Sequence, residues 1–187
     1  MRLRNKIILS FIVFFLSYLI ALVIWLQVKP YYANIQAHFG ASLSACTTGF
    51  RVLAVKQENE LSVITFSRAI LTKKGLADLV VDLKIAVSHY SFNVPLTFAL
   101  VASLSALFKW RIRFLVEALF ILLFIHLLYI YSFCNLKLVH QVSMAGAGTP
   151  PKPIQYLLQF MWAFTDNMVV RFEPFLVAVY LWFRNSD

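Results

Sequence analysis

Between Lys6 and Lys29 the chain carries no charged side chain, only an apolar run from Ile7 to Val28. A helix needs about 20 such residues to cross the ~30 Å hydrocarbon core of a bilayer, where every backbone polar group must be satisfied within the structure. The run is longer than a signal-peptide core, and Arg2, Arg4 and Lys6 precede it. It therefore predicts an uncleaved anchor with a cytoplasmic N-terminus. The whole chain agrees with this reading. Its residues are 61% hydrophobic and 13% charged, with a mean hydropathy of +0.77, whereas a soluble domain is about half apolar and about a quarter charged. That composition excludes a water-soluble enzyme.

Three further stretches read as spans: 92–108, 114–133 and 168–183. The first two are separated by Lys109-Trp110-Arg111-Ile112-Arg113, and the last ends in Arg184. Short basic segments stay in the cytoplasm, so all three basic clusters fall on one side. Seven of the 17 Lys and Arg residues sit in these clusters, and much of the formal charge of +9 is thus an orientation signal. Nucleic-acid binding needs a basic face with stacking groups in water, and five glycines leave no phosphate-cradling loop. Neither nucleic acid nor nucleotide is expected as a partner. The predicted fold is an α-helical integral membrane protein with four transmembrane helices. It would sit multi-pass in a bacterial inner membrane, with both termini cytoplasmic. Its units are a signal-anchor helix over 1–29, an extracytoplasmic segment over 30–91, a transmembrane hairpin over 92–134 with its basic turn at 109–113, an outer loop and interfacial helix over 135–167, and a last span over 168–187.

The outer segments have patterns of their own. After Pro30, the residues Tyr32, Ile35, Phe39, Leu43, Cys46 and Phe50 recur at helical spacing. They predict an amphipathic helix on the outer membrane surface, with Asn34, Gln36, His38 and Ser42 mostly toward water. Residues 51–56, 60–67 and 79–88 have strand composition. Val81, Leu83, Ile85 and Val87 alternate with Asp82, Lys84, Ala86 and Ser88. Gln57-Glu58-Asn59 and Lys73-Lys74-Gly75 punctuate them, which predicts a three-stranded antiparallel meander. So few residues bury little core alone, so the sheet should lean on the bilayer, the surface helix or a partner. Farther on, Thr149 and the prolines from Pro150 to Pro153 predict a helix start, and Asp166-Asn167 predicts a bend before the last span.

Few residues offer chemistry. The four histidines His38, His89, His126 and His140 are scattered, and no metal-ligand spacing surrounds Cys46 or Cys134, so neither metal nor cofactor is expected. Both cysteines lie on the outer side in this topology, where a disulfide could tie the surface helix to the third span. Two unpaired thiols on apolar faces is the simpler reading. Cys46 could also be a nucleophile supported by Arg171 and by His126 or His140, although no basic residue lies within four positions to lower its pKa. Ionisable residues inside a span are costly and each calls for a role. Glu117 reads as an i,i+4 partner of Arg113. His126 and Arg171 both fall ~18 Å from the cytoplasmic ends of their spans, and Glu173 follows Arg171 about 200° around the helix. A buried polar contact among His126, Arg171 and Glu173 is expected to hold the last two spans together.

Residues 81–100 form a strand that runs through Tyr90-Ser-Phe and Pro95-Leu96 directly into a span. This junction, with the basic N-terminal anchor and the basic turn, resembles the exosortase H-associated membrane proteins, although Ser91 and Asn93 stand where glycine is expected. The resemblance implies a non-catalytic accessory role in sorting or exporting proteins with C-terminal tails, with an exosortase as the larger membrane partner. It marks Tyr90, Pro95 and Leu96 as a partner-binding junction. The competing classes are a membrane-embedded cysteine peptidase or transpeptidase using Cys46, and a small subunit of a transport, pilus or polysaccharide assembly complex.

Overall fold

The structure is a computed structural model that describes residues 3–72, 75–104, 112–148 and 150–186. Helix α1 (Leu3–Thr48) leads into strands β1 (Arg51–Glu58), β2 (Leu61–Thr72) and β3 (Gly75–Ala86). The short α2 (Val87–Ser91), then α3 (Asn93–Leu104) and the long α4 (Ile112–Met144) follow. Helix α5 (Lys152–Phe164) passes through a π-helical turn at Thr165–Val169 into α6 (Val170–Ser186). The expected helix start at Thr149, the residues Lys109 to Arg111 of the expected cytoplasmic turn, and Lys73 and Lys74 of the expected β2–β3 turn lie outside the described residues.

Among the described residues two helices, not four, are long and apolar enough to cross a membrane: Arg4–Thr48 and Arg113–Met144. The described part of the expected second span, α3, has 12 residues, and at 1.5 Å per residue it reaches only ~18 Å. The expected fourth span, α6, has 17 residues and includes Arg171, Glu173 and Arg184, which lower its hydropathy. Both pack alongside the long helices: α3 contacts α1 and α6, and α6 also contacts α4.

The expected surface helix after Pro30 is part of α1, which continues through the proline for 46 residues. Pro30 forfeits one hydrogen bond, to the Leu26 carbonyl, and the helix continues on both sides of it. Helix α1 ends where Gly49 adopts φ +70° and its N–H bonds the Ala45 carbonyl, a left-handed stop that suits glycine. Of the residues expected toward water, Asn34, His38 and Ser42 are exposed but Gln36 is buried. Ala33, Gln36, Ala37, Gly40, Ala41 and Ser44 point inward, while Ile35 and Phe39 are 55% and 62% exposed. The reason is close approach. A Cβ placed on Gly40 would collide with the Ile130 side chain of α4, so small residues take the interface and bulky ones face outward, as between helices in lipid.

The sheet has the expected meander order, β1-β2-β3, antiparallel throughout. Strand β3 begins at Gly75, earlier than the alternation signals, because backbone pairing with β2 continues from Leu61↔Ala86 to Thr72↔Gly75 although Leu71 and Leu76 are exposed. At the inner end Val81, Leu83 and Ile85 are buried while Asp82 and Lys84 are exposed, as the alternation predicts. These side chains join Ile64 and Phe66 in one core with Ala37 and Ala41 of α1 and with Ile130, Cys134 and Leu138 of α4. The sheet therefore leans on two helices. A second, smaller core of Val101, Ala118, Val177 and Leu181 sits among α3, α4 and α6.

Candidate functional site

Where the two cores meet, three helices converge on a buried polar chain. His126 of α4 and Glu173 of α6 are both fully buried. The Tyr32 hydroxyl of α1 lies 2.6 Å from His126 Nδ1, and both Glu173 oxygens lie 3.1 Å from Nε2. Only Oε2 has hydrogen-bond geometry, and Oε1 has no hydrogen-bond partner among the described residues. With Tyr32 donating to Nδ1, Nε2 carries the imidazole proton and donates to the carboxylate, a tautomer assigned from the network. The imidazole is wedged edge-on against the rings of Tyr32 and Tyr90, at centroid distances of 5.7 and 5.4 Å. The aromatic packing continues through Tyr129 to Trp162 of α5 and Phe133. Gln36, one turn beyond Tyr32, donates to the Leu123 carbonyl of α4.

Pro174 shapes the same region. It has no N–H for the carbonyl four residues back, that of Val170. Asn93, at the start of α3, donates its side-chain amide to that carbonyl. The residue that departs from the expected glycine thus satisfies an acceptor the proline leaves open. The π-helical turn before α6 coincides with the expected Asp166-Asn167 bend, and its Thr165 is buried.

Among the described residues two ion-pair sites flank this chain. At the end of the molecule that holds the termini, Arg113 Nε lies 2.7 Å from Glu117 Oε1, the i,i+4 pair read from sequence. Arg184 of α6 reaches the other oxygen at 3.0 Å and also donates to Tyr180. Near the sheet, Lys29 Nζ lies 2.8 Å from Glu60 Oε1 in the β1–β2 turn. The hydrogen bond from Lys29, and then its charge, hold the Glu60 carboxyl below its usual range.

The expected site residues fare differently. His126 and Glu173 meet, but Arg171 is exposed and makes no hydrogen bond or ion pair among the described residues. One helix face cannot present both residues, and the desolvated imidazole takes the carboxylate. Cys46 is exposed and Cys134 buried, and both are free thiols. Cys46 has no hydrogen bond to Arg171, His126 or His140, and His140 is itself exposed. At the expected partner-binding junction Tyr90 and Pro95 are fully buried, Tyr90 with its ring against His126, and Leu96 is half-buried. Among the described residues no group of three His, Cys, Asp or Glu side chains could hold a metal ion. Sequence reasoning missed Tyr32 as the partner of His126, Arg184 as the second partner of Glu117, and Asn93. Only the last had a local signal, the proline four residues after Val170.

The family comparison covers this whole arrangement. The model of the exosortase H-associated membrane proteins matches residues 5–185. The chain belongs to that family. As an exosortase H-associated membrane protein it carries the Tyr32–His126–Glu173 chain, the Glu117 ion pairs and the sheet all within the matched range. No curated protein and no solved structure matches the chain.

Proposed function

We propose that this protein is a non-catalytic accessory subunit of a bacterial inner membrane that binds a larger membrane protein, an exosortase, in a system that sorts or exports proteins by their C-terminal tails. In this reading α1 and α4 cross the membrane from the cytoplasmic side, α3 and α6 bring the chain back alongside them, both termini lie in the cytoplasm, and the sheet lies in the periplasm. The observation that carries it is the outward row of bulky apolar residues on α1. The row continues past Lys29 through Tyr31, Ile35, Phe39 and Leu43, alongside a sheet that itself exposes Leu53 and Val80. Apolar surface of that extent asks for lipid or protein cover, and the edge strands can accept a further strand. The family name supplies the kind of partner.

The polar chain at His126 supports a structural role, since both ring nitrogens are taken by Tyr32 and Glu173 and, among the described residues, no cysteine enters it. Catalysis by Cys46 would require Arg or His within hydrogen-bond reach of the thiol. The test is co-purification in mild detergent from cells that express the exosortase of the same genome. The expected result is a stable complex, with the exosortase level falling when this gene is deleted. Recovery of the protein only as a free monomer, with an unchanged exosortase level in the deletion, would refute the proposal. Full function of a Cys46→Ala variant is expected, and loss of tail processing in that variant would favour the peptidase.

A further inference from the structure

At the sheet end of α1 a cleft of about 450 Å³ opens between α1, β2, α4 and α5. Its polar end is a connected set. Thr47 donates to the Asn135 side chain at 2.8 Å, Asn135 donates to the Tyr131 carbonyl and to Ser44, and Arg68 donates to the Thr48 carbonyl at 3.1 Å. The threonine and asparagine groups are thus committed to one another. Arg68 is not. Its guanidinium lies over the Phe50 ring at 5.8 Å, one N–H of its five-donor fork is engaged, and it makes no ion pair among the described residues. Among the described residues no carboxylate lines the cleft. One and two turns beyond Asn135, Val139 and Val142 continue as an apolar wall faced by Ile154 and Leu158 of α5.

A fixed arginine fork with no counter-ion at one end, and an aliphatic wall at the other, match a ligand that is anionic at one end and apolar at the other. The cleft holds about fifteen times the ~30 Å³ of a liquid water molecule, more than a bare oxyanion fills. Arginine suits phosphate because its parallel N–H groups match two oxygens, and basic pockets between membrane helices hold lipid head groups. We propose that this cleft binds one anionic phospholipid, with its phosphodiester on Arg68 and the first methylenes of its chain along Val139, Val142, Ile154 and Leu158.

The test uses the full chain purified in mild detergent. Retention of added phosphatidylglycerol is followed by native mass spectrometry, and the melting temperature is followed with the same lipid, with phosphatidylcholine and with inorganic phosphate. Phosphatidylglycerol is expected to be retained at one per chain and to raise the melting temperature. Phosphatidylcholine and inorganic phosphate are expected to do neither. Arg68→Gln should weaken retention at least tenfold, while Arg51→Gln, a basic residue of the same sheet outside the cleft, should not change it. Leu158→Trp, which fills the apolar end and leaves Arg68 in place, should weaken retention as well and carries the test if Arg68→Gln does not fold. Equal retention of both lipids, or unchanged retention in Leu158→Trp, would overturn the proposal. So would a shift with inorganic phosphate as large as with the lipid, or displacement of the lipid by a peptide with a free carboxyl terminus.

Discussion

The Tyr32–His126–Glu173 chain joins α1, α4 and α6 at a single imidazole, so its contribution can be isolated by a double-mutant cycle. Glu173→Leu removes the 3.1 Å contact and leaves a buried N–H without an acceptor, at a cost of about 1–3 kcal/mol. His126→Leu does more. It also removes the 2.6 Å bond from Tyr32 and strands a fully buried carboxylate, which costs about 3–5 kcal/mol. In the double variant the stranded groups at Nε2 and Glu173 disappear together, and only the Tyr32 hydroxyl remains unpaired. The two effects should therefore fall short of additive by about 1–3 kcal/mol, the range for residues in one network. That exceeds the ~0.6 kcal/mol average for hydrogen bonds between membrane helices, because a carboxylate is involved. Glu173→Gln retains an acceptor and should cost about 1 kcal/mol or less. Unfolding by added dodecyl sulfate in mild detergent micelles, followed by far-ultraviolet circular dichroism, gives the four stabilities. Additivity within ~0.3 kcal/mol would show that the three side chains do not act as one unit, and the lock between α4 and α6 would have to lie elsewhere.

Three further outcomes are expected. Gly40→Ala should destabilise by about 1–3 kcal/mol through overpacking, and Ile130→Ala introduced with it should recover part of the loss, read in the same assay. Asn93→Ala should cost about 1–3 kcal/mol by orphaning the Val170 carbonyl, whereas Asn93→Ala with Pro174→Ala should approach wild type, because the alanine that replaces the proline supplies the missing N–H. Glu60 has a carboxyl held below its ordinary range by Lys29, so its contribution is complete above the unfolded value of about 4.3 and is lost as pH falls through the lower folded value. Melting measured from pH 6 downward should lose this acid-sensitive component in Glu60→Gln; an unchanged profile would assign it to another group.

What could be read from sequence was local. The alternation of Val81, Leu83 and Ile85 reports the inner face of β3 because strand geometry alone sets it, and Glu117 reports Arg113 because four residues make one turn. On α1 the stripe of Ile35 and Phe39 points away from the protein interior, in keeping with a membrane-facing side. The inward face was not legible, because close packing against α4 selects small residues such as Ala37 and Gly40 rather than apolar bulk, and Gln36 turns inward with them. The partner of His126 was hidden for another reason, since Tyr32 stands 94 residues away and no spacing rule links them. Matching depths pointed to α6, yet depth alone could not choose between Arg171 and Glu173. The π-helical turn supplies what the Asp166-Asn167 signal could only suggest, a local change in pitch without a break in the helix.

The continuity of α1 through Pro30 makes the sheet and the apolar span one mechanical piece. At 1.5 Å per residue its 46 residues make a helix of about 69 Å, and no loop separates the half that carries the sheet from the half that begins near the termini. Tilting that helix by a few degrees at one end would swing the other by several ångströms, and β3 with it. A protein gripping either end would therefore set the height and angle of the other, as a lever arm does, without any message passing through a flexible linker.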